Sequence, residues 1–232
     1  MATGLTRRQL YLACGITASA GFVDGVGFIH LGGYFVSFMS GNSTRAGADL
    51  AEGDLLGWAK AIGLVAAFVF GVVLASLATS SRTITTIPAR KVTPQLRAIW
   101  LSVGLLALAA VCGSVPETGL QGAEVAVAPL IAAAMGAVNS TFTRGGEVSV
   151  GLTYMTGALV KAGQLFAARL RGVPETGWLR YAALWAAIAV GSAAGAMSYL
   201  AAGLLTLWAA VALLGGCAGL VWWRRRSRFH RP

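Results

Sequence analysis

Six stretches of the sequence, residues 9–29, 58–79, 96–113, 125–141, 179–199 and 203–223, are apolar nearly throughout. About 20 such residues in a helix span the hydrocarbon core of a bilayer. A backbone in lipid must pair its own polar groups, which selects the helix. The expected fold is therefore all-α and membrane-integral, with six transmembrane helices. Composition removes the alternatives. Charged residues make up 11% of the chain, against about a quarter in an ordinary soluble domain. That is too little to cover a water-facing surface, so a soluble enzyme, a disordered chain and a nucleic-acid module are excluded. The net charge of +10 sits between and after the apolar runs, which is the pattern of membrane topology.

Two further segments, 33–51 and 148–170, begin apolar and then meet a Ser/Thr-Gly step and a cation. Charge placement decides whether they cross, because cytoplasmic loops are rich in Lys and Arg. Arg82, Arg90, Lys91 and Arg97 follow the second long span, Arg169, Arg171 and Arg180 lie before and at the start of the fifth, and five arginines from Arg224 to Arg231 end the chain. Glu117 and Glu124 share a loop with no cation. With Arg7 and Arg8 inside, the first span exits. The second must start outside, near Glu52 and Asp54, to end inside at Arg82. Segment 33–51 thus starts and ends outside, and by the same logic 148–170 starts and ends inside. Both are read as re-entrant or broken segments. This threading puts 14 Lys/Arg inside and Lys60 outside, with Arg45, Arg144 and Lys161 in or beside the non-crossing segments. Both termini are cytoplasmic. The run after Arg7 and Arg8 continues past Phe28 without a small-residue cleavage site, so it is read as a retained span and not a signal peptide.

The chain also matches itself. A shift of 116 residues lays Met39-Ser40-Gly41 on Met155-Thr156-Gly157 and Arg45-Ala46-Gly47 on Lys161-Ala162-Gly163. With a one-residue gap, Gly21-x-Val23-Asp24 falls on Gly136-x-Val138-Asn139; with a few residues inserted, Trp58 falls on Trp178 and Gly71 on Gly191. Each half contains three spans, an odd number, so the second half is upside down relative to the first. The expected architecture is one membrane domain over 1–232. It consists of two inverted-topology repeats, 9–113 and 125–223, followed by a basic cytoplasmic tail, 224–232. Inverted repeats with broken helices are a transporter signature.

Charged residues at membrane depth are costly and mark function or pairing. Asp24 lies inside the first span among three glycines. It reads as an ion ligand or proton carrier, or else as the cap of a half-helix or a partner of Arg45. Asn139 takes its place in the second half without the charge. Arg45 and Lys161 hold equivalent positions and read as a pair facing a central cavity and attracting an anion, or as anchors that snorkel to the headgroups. Ser40, Gly41 and Asn42, with Thr156 and Gly157 matching them, read as a small polar solute site or a structural turn. Tyr34, Phe35 and Phe38 precede it as a possible wall. Arg144 and Glu147 form a charged turn that reads as a cytoplasmic gate or an interfacial ion pair, and His30 reads as interfacial. Gly71-x-x-x-Ala75 and Gly191-x-x-x-Gly195 are close-packing patterns, within the chain or in a dimer. Cys14, Cys112 and Cys217 lie in apolar runs with no ligand spacing and read as packing residues.

The run GFVDGVGFIHLGGYFVSFMSGNSTRAG, with its FVSFMSGN core after an Asp-Gly, resembles the N-terminal signature of the YoaK-like bacterial inner-membrane proteins, a family of unknown function. The resemblance covers about residues 7–223. It implies a bacterial inner-membrane protein of about six spans and carries no catalytic residues.

The resulting expectation is a secondary transporter of a small anionic or carboxylated solute. It would work by alternating access around a central site, with Asp24 available for proton coupling. No metal cluster, nucleophile–base pair or cofactor motif is present, so neither an enzyme nor a bound cofactor or metal is expected. The expected partners are the solute, the bilayer and, at 23.8 kDa, a second copy in a homodimer, with no nucleic acid. The competing reading is a structural or regulatory membrane protein that binds a partner or lipid, for which the basic tail would serve.

Overall fold

The computed structural model describes residues 7–79, 94–115, 123–144, 147–148, 155–174 and 176–226. Arg82, Arg90, Lys91, Glu117, Arg228 and Arg231, used above for topology, lie outside them. The described elements are α1 (Arg7–His30), α2 (Met39–Glu52), α3 (Leu55–Thr79), α4 (Pro94–Ser114), α5 (Ala123–Asn139), α6 (Met155–Leu170), α7 (Trp178–Ala202) and α8 (Leu207–Arg226). A two-residue antiparallel pair, Thr143–Arg144 with Glu147–Val148, lies between α5 and α6.

Large apolar side chains point outward along the long helices: Phe70, Val73 and Leu77 on α3, Val190, Met197 and Leu200 on α7, Leu213 and Leu220 on α8. A water-soluble protein rarely exposes apolar surface so continuously. Among the described residues, four helical stretches are long and apolar enough to cross a membrane: Leu10–His30, Leu55–Thr79, Leu96–Ser114 and Trp178–Trp223. The last holds two of the six expected spans, α7 and α8, which a 3₁₀ turn separates after Gly203 turns the chain at φ 56°. The stretch expected at 125–141 is a shorter apolar helix, Val125–Asn139, which gives way to a 3₁₀ turn at Ser140–Phe142. The helices at the two expected broken segments, α2 and α6, have 14 and 16 residues. At 1.5 Å per residue they reach only about 21 and 24 Å, short of the roughly 30 Å hydrocarbon core.

α1 is the inner helix. Two-thirds of its apolar window (67%) is buried, against 22% for α3. It packs on α7, and α5 packs on α3. A methyl group at Gly21 or Gly25 would overlap the carbonyl of Ile188 or Ser192, and one at Gly191 or Gly195 would overlap that of Ala18 or Phe22. Backbone touches backbone here, which only glycine permits. The contacts climb both helices together, ending where His30 Nδ1 meets the Tyr199 hydroxyl at 2.9 Å, so α1 and α7 run parallel. In the other crossing, a methyl at Gly136 would overlap the Phe68 carbonyl and one at Gly71 the Ala133 carbonyl. These are the same contacts under the self-match: Ala18 and Gly21 fall on Ala133 and Gly136, Phe68 and Gly71 on Ile188 and Gly191. Both close-packing patterns therefore serve contacts within the chain, and each crossing joins one helix from each half. α4 packs on α5 and α8, and α8 also on α1, closing a core of Ile16, Val23, Ile99, Leu106, Met135 and Leu214. The three cysteines are free and partly buried, with Cys217 Sγ against Gly15.

Candidate functional site

After α1 the chain turns at Gly32 and Gly33, whose φ values of 70° and 99° favour glycine. It then runs back down α1. Val36 packs where Gly27 has no side chain. Asp24, 7% exposed, receives the turned-back segment. Its Oδ1 accepts the backbone N–H groups of Val36 (2.9 Å) and Ser37 (2.7 Å), and its Oδ2 accepts the Ser37 hydroxyl. These donors lie at the approach to the N-terminus of α2. A carboxylate suits that place, because the helix leaves unpaired N–H groups and a partial positive charge there.

The Asn42 side chain pairs with both backbone groups of Phe35: Oδ1 accepts its N–H at 2.8 Å and Nδ2 donates to its carbonyl at 2.6 Å. Gly41 lies under the rings of Phe35 and Phe38, which stack edge to face. Ser40 is exposed, and its carbonyl accepts the Thr44 hydroxyl. The residues around Ser40-Gly41-Asn42 thus form a tight, internally bonded turn into a helix.

Further along α2, Asp49 is buried at 1% exposure. It accepts the Tyr34 hydroxyl at 2.8 Å and pairs with Arg45 Nε at 2.9 Å. The Tyr34 ring also contacts two cations, the Arg45 guanidinium 5.2 Å and Lys60 Nζ 4.7 Å from its centroid. Burial and the hydrogen bond to Asp49 push the Tyr34 phenol above the ordinary tyrosine range, so it stays a neutral donor. Lys60 donates to the Leu31 carbonyl at 2.9 Å. The start of α3 therefore lies beside the end of α1, and the 31–54 hairpin returns the chain to where it left. Gly53 (φ 79°) ends α2, and Asp54 caps α3 through the Gly57 N–H. Gly57 is itself required, since a methyl there would crowd Tyr34 and Asp49.

The structure brings Asp24 together with Asn42's hairpin and gives Arg45 a partner four residues on, Asp49, in place of Asp24. Arg45 and Lys161 ride on different supports: α2 lies on α3, α6 on α7. Asn139 donates to the Met135 carbonyl of its own helix at 2.8 Å. Thr156 is exposed, while Gly157 and Lys161 are partly exposed. Arg144 and Glu147 pair across the short strand turn by backbone register, and their side chains lie outside the described residues. No group of three or more His, Cys, Asp or Glu gathers among the described residues. Ser37, Asp49 and Lys60 were missed as functional residues by sequence reasoning. Asp49 carried a signal, the Arg-x-x-x-Asp spacing that places two side chains on one helix face; Ser37 and Lys60 carried none.

Lipid-facing apolar helices around a glycine-packed interior define a helical membrane protein. The chain matches the family model described as "Protein of unknown function (DUF1275)" over residues 12–220, and it belongs to that family. It is 34% identical over 227 residues to the UPF0700 transmembrane protein RA0705 of Rhizobium meliloti (strain 1021), covering 95% of this chain and 90% of that protein. No solved structure matches the chain.

Proposed function

We propose that the protein is a secondary carrier for a small anionic or carboxylated solute, built from two inverted halves that rock about their shared interface. The observation that carries this reading is the pair of corresponding crossings, Gly21 and Gly191 on one side, Gly136 and Gly71 on the other. Each joins helices from both halves, so relative movement of the halves must pass through both together. Carriers of inverted-repeat design place broken helices at the bilayer midplane. The 31–54 hairpin supports this, since it folds back to the depth of Asp24 and returns beside Leu31. Six crossing helices, two non-crossing hairpins and cytoplasmic termini in a bacterial inner membrane follow from the same threading. A homodimer suits a chain of 23.8 kDa, and we read it as a non-enzyme without a cofactor.

Asp24 links this cycle to protons. As a carboxylate it holds two N–H groups and a hydroxyl of the hairpin. Protonated, it loses the charge that strengthens those bonds, and the hairpin loosens from α1. The solute-binding set is drawn from Ser40, Gly41, Asn42, Thr156, Gly157 and Lys161, with Arg45 engaged by Asp49 and Tyr34 and with Arg144 and Glu147 as the gate.

The test is a thermal-unfolding screen of the purified protein with small anions, carboxylates, amino acids and cations at two pH values, followed by flux into liposomes. A ligand of the folded state at 100 times its Kd adds about 2.7 kcal/mol of stability. The expected outcome is stabilisation and flux for an anion class. Stabilisation by none, with no flux, would instead assign the protein to partner or lipid binding.

A further inference from the structure

The two hairpin helices occupy matched places in the sequence but are held very differently. Three residues of α2 are buried: Asn42, Ala46 and Asp49. Two of them are polar and held, Asn42 by hydrogen bonds with the Phe35 backbone, Asp49 by a hydrogen bond from Tyr34 and an ion pair with Arg45. Asp24 fastens the approach to α2 onto α1, and Lys60 fastens the start of the hairpin onto α3. Under the 116-residue shift, Asn42 falls on Ala158 and Asp49 on Leu165. Neither side chain can form those bonds. Every residue of α6 is described and none is buried. α6 rests on α7 through apolar contact, including the Phe166 ring edge-on to Trp178 with centroids 5.1 Å apart. Apolar contact is non-directional and tolerates sliding. A buried hydrogen-bond network has one geometry and breaks when it shifts.

We infer that the two helices do different jobs: while Asp24 is a carboxylate, α2 is a fixed part of the frame, and α6 is the element that shifts, moving against α7. This rests on the matched-half reading but not on transport. It makes the carrier asymmetric, with the access change concentrated at the end of the molecule where α6 lies.

Hydrogen–deuterium exchange on the full-length protein in detergent tests it. Local opening sets amide exchange rates, so the amides of 155–170 are expected to exchange at least about tenfold faster than those of 39–52. Asn42→Ala combined with Asp49→Asn should bring α2 up to the rate of α6. Equal rates for the two helices in the wild-type protein, or a faster α2, would overturn the inference, and that measurement needs no variant to fold. Labelling of Glu52→Cys and Arg171→Cys with an impermeant thiol reagent, expected from opposite faces, tests the matched-half reading separately.

Discussion

The α1–α7 and α3–α5 crossings share one plan, yet the first has two glycine steps and the second one. Both contain a step in which two glycines let carbonyls of the opposite helix approach. α1–α7 adds a second step one turn further on, through Gly25 and Gly195. At the corresponding places the chain has Ser140, in the 3₁₀ turn just past α5, and Ala75 on α3, and Ala75 packs with Ala98 and Ala137 in a small cluster of its own. Where backbones touch, the residue type is forced. Once the helices diverge by the width of a methyl group, small side chains take over and the halves are free to differ. The hairpins carry this further, since nothing requires them to be alike beyond resting on α3 and α7.

The largest expected effect strikes the longer crossing. Gly25→Leu or Gly195→Leu puts a branched side chain on a carbonyl, and should cost at or above the top of the roughly 1–3 kcal/mol range for overpacking. Lost yield or a large fall in thermal midpoint would register it. The sharper form compares halves. Gly25→Ala should destabilise clearly, whereas Ser140→Gly, at the 3₁₀ turn that follows α5, should cost no more than the ~1 kcal/mol of a glycine within a helix. Equal losses would mean that the second step of α1–α7 is not a backbone contact in solution.

Next comes the hairpin. Asp24→Asn keeps the shape but removes the charge from bonds to Val36 and Ser37. A hydrogen bond to a charged group contributes about 1.5–3 kcal/mol, so the variant should lose about that much in thermal or denaturant unfolding. Asn139→Asp, the reciprocal change, gains no equivalent bond set and should not recover stability. If Asp24→Asn is neutral, the cap is not what holds the hairpin.

Much of this was legible in the sequence because it depends on local properties. Apolar length, charge side and the self-match need no knowledge of which helix touches which. They located the long helices, the short ones at 39–52 and 155–170, and both close-packing patterns. Asp24 was legible as either a ligand or a cap, and the donors it holds, Val36 and Ser37, lie 12 and 13 residues on, out of reach of any helical spacing rule. The exchange of partners between halves was not legible. Gly191 announces close packing but not that Ala18, in the other half, is its neighbour. The division of the last apolar stretch into α7 and α8 falls at Gly203, where the two expected spans, 179–199 and 203–223, were already parted. The Tyr34–Asp49–Lys60 cluster assembles residues from a loop and two helices, so only its Arg45–Asp49 part follows a sequence period.

The smallest expected effect on stability is the most informative about the two matched cations. Arg45 is 45% exposed and bound to a buried Asp49. Arg45→Gln removes the exposed cation from beside buried Asp49, and solvent screening of that cation keeps the loss small. Lys161 is partly exposed on a helix with no buried residue, and Lys161→Gln should change stability by less than about 0.5 kcal/mol. Stability and solute response should therefore separate. Arg45→Gln is expected to lower the thermal midpoint while leaving anion-dependent stabilisation in place, because its charge already serves Asp49 and Tyr34. Lys161→Gln is expected to leave the midpoint and remove the anion response, with Lys161→Arg restoring it. If the anion response instead follows Arg45, the solute competes with Asp49 for the guanidinium, and the α2 cluster, not α6, is where the two halves meet the solute.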